Sequence, residues 1–461
     1  MKKMISLFDG DALSVLLRLL FLCAMLLCAQ LSTAQFRASV VKKDITPADA
    51  QMLLGYDARK STGVHDPIFH RIIALDDGAS QFFLVSSDIC EISPSLYDEV
   101  AAALYARFKI NPLNFWWTVT HTHSAPEVGS PGLELVFLGD RYQHAIDSNY
   151  TALVVQKLME GIAEARETLV PARLGVGWGF SQANINRRAI DTDGKASLGL
   201  NPDGPVDRRI GLLRLDKEDG SPFALIANYP IHGTVLGKKS LEISGDVPGI
   251  VSEYVEQKIG APMLFINGAA GDLAPIYSVY PDPVSGHLNQ FKVLLGDKII
   301  EANKKISSAD NKIRIVTRSL TIETPRKPGL GWTDELGKYT IAKSGVNMVR
   351  LPVCFLKLTD DMVIWSAPIE LFCEVGARIR DRSPFSFTFY FGYSNGWLGY
   401  LPSADQWKYG GYEVNDASPY TPSAERDITE SVVGYLQGEL RSANIPAAHI
   451  QNGKKPGSKS E

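Results

Sequence analysis

FWWTVTHTHSAPE, residues 115–127, decides how this chain is read. Phe115 to Thr120 is a run of aromatic and β-branched residues, the composition of a strand. His121 and His123 follow it two residues apart. Side chains at that spacing in extended backbone point to one face, so both imidazoles can look into one cavity. The ends of strands are where α/β proteins place their chemistry. The whole chain holds only 8 histidines, so a pair at such a corner draws attention as a metal-ligating element.

Outward from this stretch, strands and helices alternate. FRASVVKKDITP (36–47), FHRIIALDD (69–77) and QFFLVSSDI (81–89) read as strands, and LYDEVAAALYARF (96–108) has helical spacing. Downstream, 141–168 reads as a long helix, with Ile146, Tyr150, Leu153, Val154 and Leu158 on one stripe. Strands return at RLGVGWGF (173–180), IGLLRLD (210–216), FALIANYPIH (223–232) and MLFIN (263–267), with helices over 245–258 and 291–305. Two more strand-like runs, 313–323 and 353–367, precede a helical LFCEVGARIRD (371–381). The pattern implies a mixed-sheet, layered α/β fold in one catalytic domain over 35–445, with no internal repeat and with 446–461 as a solvated tail.

Composition narrows the function classes. With 45% hydrophobic and 21% charged residues and a net charge of −4, the chain reads as an ordinary globular protein with no electrostatic reason to bind nucleic acid. Residues 1–34 have the form of a signal peptide: Lys2 and Lys3, an apolar run from Leu13 to Ala29, and a small-residue site at Ala34. Export to the periplasm or the medium is therefore expected. Cleavage would leave Cys90, Cys354 and Cys373, which sit among apolar neighbours and form no disulfide framework.

Polar residues stand in three further places where a core favours apolar ones. His232 ends the apolar run FALIANYPIH, Glu370 interrupts SAPIELF, and GYSNGWLGYLP (392–402) carries Tyr393 and Tyr400. Two histidines, a carboxylate and a further oxygen donor make a reasonable zinc set that keeps a position for water. Each also has a plainer reading: a satisfied core histidine, a helix-capping glutamate, a packed tyrosine. Asp88 and Asp272, at strand ends, are candidates to orient ligands or simply to form turns.

THTHSAPE, NYPIHG (228–233), SGDVPG (244–249), NGAAGDLAP (267–275), APIELF (367–372) and GYSNGWLGYLP with GGYE (410–413) occur in the order seen in the catalytic domain of the neutral/alkaline non-lysosomal ceramidases. KDITP (43–47) and GVHDP (63–67) are similar to that family too. The resemblance implies Zn²⁺ held by His121, His232, Glu370 and Tyr400, with His123 and Tyr412 assisting the transition state and Arg187 near the polar part of the substrate. It implies hydrolysis of an N-acyl bond, ceramide to sphingoid base and fatty acid, and thus a small lipid or N-acyl partner met through transient contact with a membrane surface. Two features depart from the family. Its GD-x-S-P serine is replaced by Ala274, which can be neither nucleophile nor hydrogen-bond donor. The immunoglobulin-like domain of larger members is not expected in the fifty or so residues after Gly411. Two alternatives follow: a zinc hydrolase of another N-acyl or ester substrate, and a catalytically impaired relative that binds lipid or sugar.

Overall fold

The computed structural model of the protein describes residues 35–277, 285–307 and 312–438. The expected signal segment and the tail from 446 lie outside those residues, and among the described ones no helix is long and apolar enough to cross a membrane. The first run of elements is β1 (Arg37–Asp44), β2 (Phe69–Asp76), β3 (Gln81–Ser87), helix α1 (Pro94–Phe108) and β4 (Phe115–Val119). After helix α2 (Ser148–Glu167) comes a second run: β5 (Val170–Phe180), β6 (Arg209–Lys217), β7 (Pro222–Tyr229), helix α3 (Asp246–Ile259) and β8 (Met263–Asn267). Together they form an eight-stranded sheet in the order β8-β7-β6-β5-β1-β2-β3-β4.

That order reveals a repeat that the sequence did not suggest. In each run the first three strands pair antiparallel in sequence, and a helical crossover then adds a parallel fourth strand. The two first strands, β1 and β5, meet antiparallel at the centre, with Arg37 opposite Pro171. The sheet is two copies of one βββαβ unit placed back to back. Pairing rules preserve this topology while side chains diverge, which is why no period is visible in the residues.

A second sheet is built from β9 (Val316–Pro325), β10 (Val346–Lys357), β11 (Met362–Ser366) and β12 (Phe387–Phe391), in that order. Helix α4 (Cys373–Arg382) makes the parallel crossover from β11 to β12, and α5 (Ala424–Gln437) packs beside it. One core joins Phe82, Leu84, Trp116 and Ile226 of the first sheet to Leu356, Ile364 and Phe389 of the second. On the far face of the first sheet, α1 and α2 lie over one half and α3 over the other. On the far face of the second lie α4 and α5. The result is a four-layer α/β/β/α arrangement. Burial from both sides explains the continuous FWWTV run: Phe115, Trp117 and Val119 face the helices, and Trp116 faces the second sheet.

The long helix starts later than its apolar stripe implied. Asp147 accepts hydrogen bonds from the amides of Asn149 and Tyr150, so the helix begins at Ser148 and leaves Ile146 outside it, exposed.

Candidate metal centre

Four chain segments end at one point, each carrying a polar side chain into it. β4 stops at Val119, and His121 adopts φ +62°. The two histidines of HTH therefore lie beyond the strand, and their rings meet edge to face through this left-handed turn rather than through strand alternation, with centroids 4.8 Å apart. The second segment, Pro-Ile-His-Gly after β7, is pinned to the first. His123 N donates to Gly233 O at 2.8 Å, and Gly233 N donates to His121 O at 3.2 Å. The third is the two-residue strand Glu370–Leu371 after β11, paired in parallel with the fourth, Tyr400–Leu401.

The ligand atoms converge closely. His121 Nε2 lies 3.3 Å from Glu370 Oε2, and His232 Nε2 lies 3.2 Å from the same oxygen. The Tyr400 hydroxyl is 3.4 Å from His232 Nε2, and His123 Nε2 is 3.2 Å from His121 Nε2. Among the described residues, His121, His232 and Glu370 form one of two groups able to hold an ion, all three buried. The other is Cys90, His121 and His123. It is the weaker, because Cys90 offers its backbone carbonyl to His121 Nδ1 at 2.9 Å, closer than its Sγ at 3.8 Å.

Hydrogen bonding fixes which ring nitrogens face inward. His121 Nδ1 donates to Cys90 O, and His232 Nδ1 donates to Leu273 O, each at 2.9 Å. A carbonyl only accepts, so each Nδ1 carries the proton and each Nε2 presents a lone pair. Burial holds His232 neutral, its pKa brought down to about 3. His121 Nε2, His232 Nε2 and Glu370 Oε2 thus converge on one buried point, each nitrogen within 3.3 Å of the carboxylate oxygen. A metal ion can be held among them. Donors about 2.0 Å from a tetrahedral Zn²⁺ are about 3.3 Å apart, the spacing found here, so the residues fit the metal.

Supporting contacts show what the sequence reading missed. Glu370 Oε1 accepts from Trp397 Nε1 at 2.9 Å, and Oε2 accepts from the Tyr393 hydroxyl at 3.2 Å. Both donors come from the aromatic, glycine-rich stretch, where the sequence marked Tyr393 beside Tyr400 but not Trp397. Glu370 caps no helix. Backbone carbonyls orient both histidines, a role no side-chain motif can announce.

The assisting residues occupy different positions. His123 is buried and lies against Gly55, where a Cβ would stand 2.5 Å from its ring. Its Nδ1 has no hydrogen-bond partner among the described residues, and its Nε2 faces that of His121 at 3.2 Å. Tyr412 stands on the rim, 45% exposed, with its ring 5.7 Å from that of Tyr400. Arg187 is buried behind Tyr400; its Nη2 donates to the hydroxyl at 3.0 Å and its Nε to Glu413 at 2.9 Å. It touches the tyrosine rather than the open cavity.

Ala274 lies on a short buried strand, Leu273–Pro275, and its neighbour Leu273 supplies the carbonyl that orients His232. The segment therefore has a backbone task that the missing hydroxyl leaves untouched. Asp272 accepts from Cys373 N at 2.8 Å and so anchors α4, touching no histidine, while Asp88 is paired with the buried Arg71 at 2.7 Å. A further acidic wall went unnoticed in the sequence. Glu91 and Glu134 line the same cavity as the histidines. Burial raises both: Glu91 well above the carboxylate range, with repulsion from Glu134 and Glu370 added, and Glu134 to about 8, where a hydrogen bond with Glu91 offsets part of the rise.

Fold and site together define a layered α/β protein with a buried His-His-Glu constellation able to hold a metal ion. Residues 36–271 match the family described as neutral/alkaline non-lysosomal ceramidase, N-terminal, and the chain belongs to that family. It is 27% identical over 229 residues to neutral ceramidase B of Dictyostelium discoideum, which is 48% of this chain and 31% of that protein. Neutral ceramidase A of the same organism is 27% identical over 225 residues, 47% of this chain and again 31% of the relative. The aligned part thus spans about a third of these relatives. The fold extends further. The crystal structure of neutral ceramidase from Pseudomonas aeruginosa superposes with a TM-score of 0.71 at 18% identity, over 91% of this chain and 77% of that one. A ceramidase complexed with C2 gives 0.72 over 92% and 77%.

Proposed function

We propose that the protein is a zinc-dependent amide hydrolase that cleaves the N-acyl bond of a ceramide-like lipid with water. The observation that carries this reading is the convergence of His121 Nε2, His232 Nε2 and Glu370 Oε2, three metal-ligating atom types, on one buried point. Tyr400 stands beside them as a fourth donor. A zinc ion held there supplies Lewis acidity and a more acidic water, which are what amide hydrolysis at neutral pH requires.

The chain's own residues supply the rest. His123 Nε2 faces the centre of the site, where its protonated form can donate to the oxygen that gains charge as the carbonyl is attacked, and then pass a proton to the leaving amine. Tyr412 on the rim is the second donor. Arg187 keeps the Tyr400 hydroxyl aimed at the histidines and stabilises negative charge on it. Nothing in this division of labour uses a hydroxyl at position 274. The acid pair Glu91–Glu134 gives the cavity a polar wall suited to the amino-alcohol end of such a lipid.

The test is metal analysis of the purified protein, followed by fatty-acid release from a labelled ceramide with and without chelator. One equivalent of zinc and chelator-sensitive release are expected. Zinc without ceramide cleavage would move the reading to another N-acyl or ester substrate. Absence of any bound metal would leave only a lipid- or sugar-binding protein.

A further inference from the structure

A second cavity, of about 320 Å³, lies on the other side of the loops that carry Glu370 and Tyr393. Its volume is within the range of small-molecule sites. One wall is the face of the second sheet presented by Arg350, Pro352 and Cys354, alternate residues of β10. Tyr97 of α1 and Leu113 close it from above. The floor is Ser366-Ala367-Pro368 with Ser394-Asn395, so it abuts the segments that precede Glu370 and follow Tyr393.

One buried polar group in this cavity has unused hydrogen-bonding capacity. Ser366 is 1% exposed, and its Oγ has no partner among the described residues. At the mouth, the Arg350 side chain is 40% exposed; its Nη1 donates to Lys338 O at 3.2 Å and its Nε is ion-paired with Glu323 at 3.9 Å. Lys338 stands next to it, paired with Asp98, which also accepts from the Tyr339 hydroxyl at 3.0 Å. The charges lining the cavity are therefore two cations and one anion already engaged twice. The rest of the lining is chiefly apolar. A partly exposed guanidinium at the mouth, above an apolar trough, suits a carboxylate with a hydrocarbon tail.

We propose that this cavity binds a medium-chain fatty acid, its carboxylate on Arg350 and its chain over Pro352, Cys354 and Pro368. Binding there presses on both segments that fix the Glu370 carboxylate. Asn395 has φ +64° and clamps β4 through Trp117, donating from its amide to Trp117 O and accepting from Trp117 N, while Tyr393, two residues earlier, donates to Glu370. A ligand that prefers one arrangement of this turn shifts the metal centre with it. On the N-acyl hydrolase reading, and resting on it for this point alone, the occupant is the released acid, acting back on the enzyme that made it.

The experiment is titration of the full-length protein with dodecanoate by calorimetry, with circular dichroism to confirm folding of each variant. One site per chain is expected outside the catalytic cavity. It should weaken at least tenfold in Arg350→Ala, which changes a half-exposed side chain, and vanish in Cys354→Trp, which fills the trough. Binding should persist in His121→Ala, so that a failure of the catalytic reading does not touch it. No binding, or binding unchanged in both cavity variants but lost in His121→Ala, would overturn the proposal. Inhibition of amide hydrolysis by dodecanoate in the wild type but not in Arg350→Ala is the expected functional counterpart.

Discussion

Glu370 receives four polar neighbours, and the two that are not histidine define how well it is aimed. Trp397 Nε1 and the Tyr393 hydroxyl bind different oxygens of the carboxylate and hold its plane. Replacing Trp397 with Phe keeps an aromatic ring but removes the donor and part of the buried indole. Contacts of this kind typically contribute 10- to 100-fold in metal affinity. Trp397→Phe should therefore weaken zinc binding by about tenfold in competition with a chromogenic chelator, with a modest loss of stability from the space left behind. Glu370→Gln should abolish stoichiometric zinc, since it removes the one negative charge among the ligand donors. Equal effects of the two substitutions would mean that Glu370 does not bind the ion directly. The same carboxylate shows what the sequence could and could not tell. Glu370 was visible as a charge inside an apolar run, and His232 as a histidine at a strand-to-loop corner. Trp397 was not, because an aromatic residue in a glycine-rich loop looks like packing until its N–H is placed.

Between elements, the decisive contact is a backbone one. The loops after β4 and β7 come from different copies of the βββαβ unit and are tied by the Thr122–Gly233 bridge. A Cβ at Gly233 would stand 2.6 Å from Thr122 Cα and 2.9 Å from His121 O, both backbone atoms that cannot step aside. Gly233→Ala should separate the two histidine-bearing turns, lowering zinc affinity more than a hundredfold while far-ultraviolet circular dichroism still reports the sheets. An unaltered affinity would show that the turns move freely. Elsewhere a buried histidine links three elements. His70 on β2 faces Ser87 Oγ of β3 at 2.6 Å and donates from Nε2 to Val154 O of α2 at 3.0 Å. Burial lowers its pKa from 6.5 to about 4, so the folded state binds fewer protons than the unfolded state between those values. Stability from this group is complete above 6.5 and falls as the pH drops toward 4. Between pH 7 and 5 the loss is about 2 kcal/mol. Urea unfolding of His70→Gln should lack that increment of pH dependence relative to the wild type. The strands themselves were legible from period and composition, as was the α1 crossover. The start of α2 was not, because the capping of Asp147 outweighed an apolar stripe that continues past it.

At the scale of the molecule, the donors of the centre come from three bodies of structure. His121 follows the last strand of the first copy, His232 follows the third strand of the second, and Glu370 and Tyr400 follow strands of the other sheet. This distribution could not be read from spacing, because 111 residues separate the histidines and 138 more precede Glu370 (232 − 121 and 370 − 232). Only the ordered set of motifs implied that they meet. An ion bound at such a point joins both halves of the first sheet to the second, so its binding energy is stability of the whole assembly rather than of one loop. An ion that binds only the folded state contributes about 4 kcal/mol at a free concentration 1,000 times its dissociation constant. Removing zinc with a chelator should therefore lower the thermal midpoint by several degrees while the unfolding stays a single transition, and stoichiometric zinc should restore it. Calcium or magnesium, which favour oxygen-rich sites, should not. If the midpoint is indifferent to chelation, or if only a minor early transition moves, the ion is not at the junction of the two sheets. The His-His-Glu constellation would then be a closed hydrogen-bonded cluster, with an extra proton on one imidazole in place of the metal.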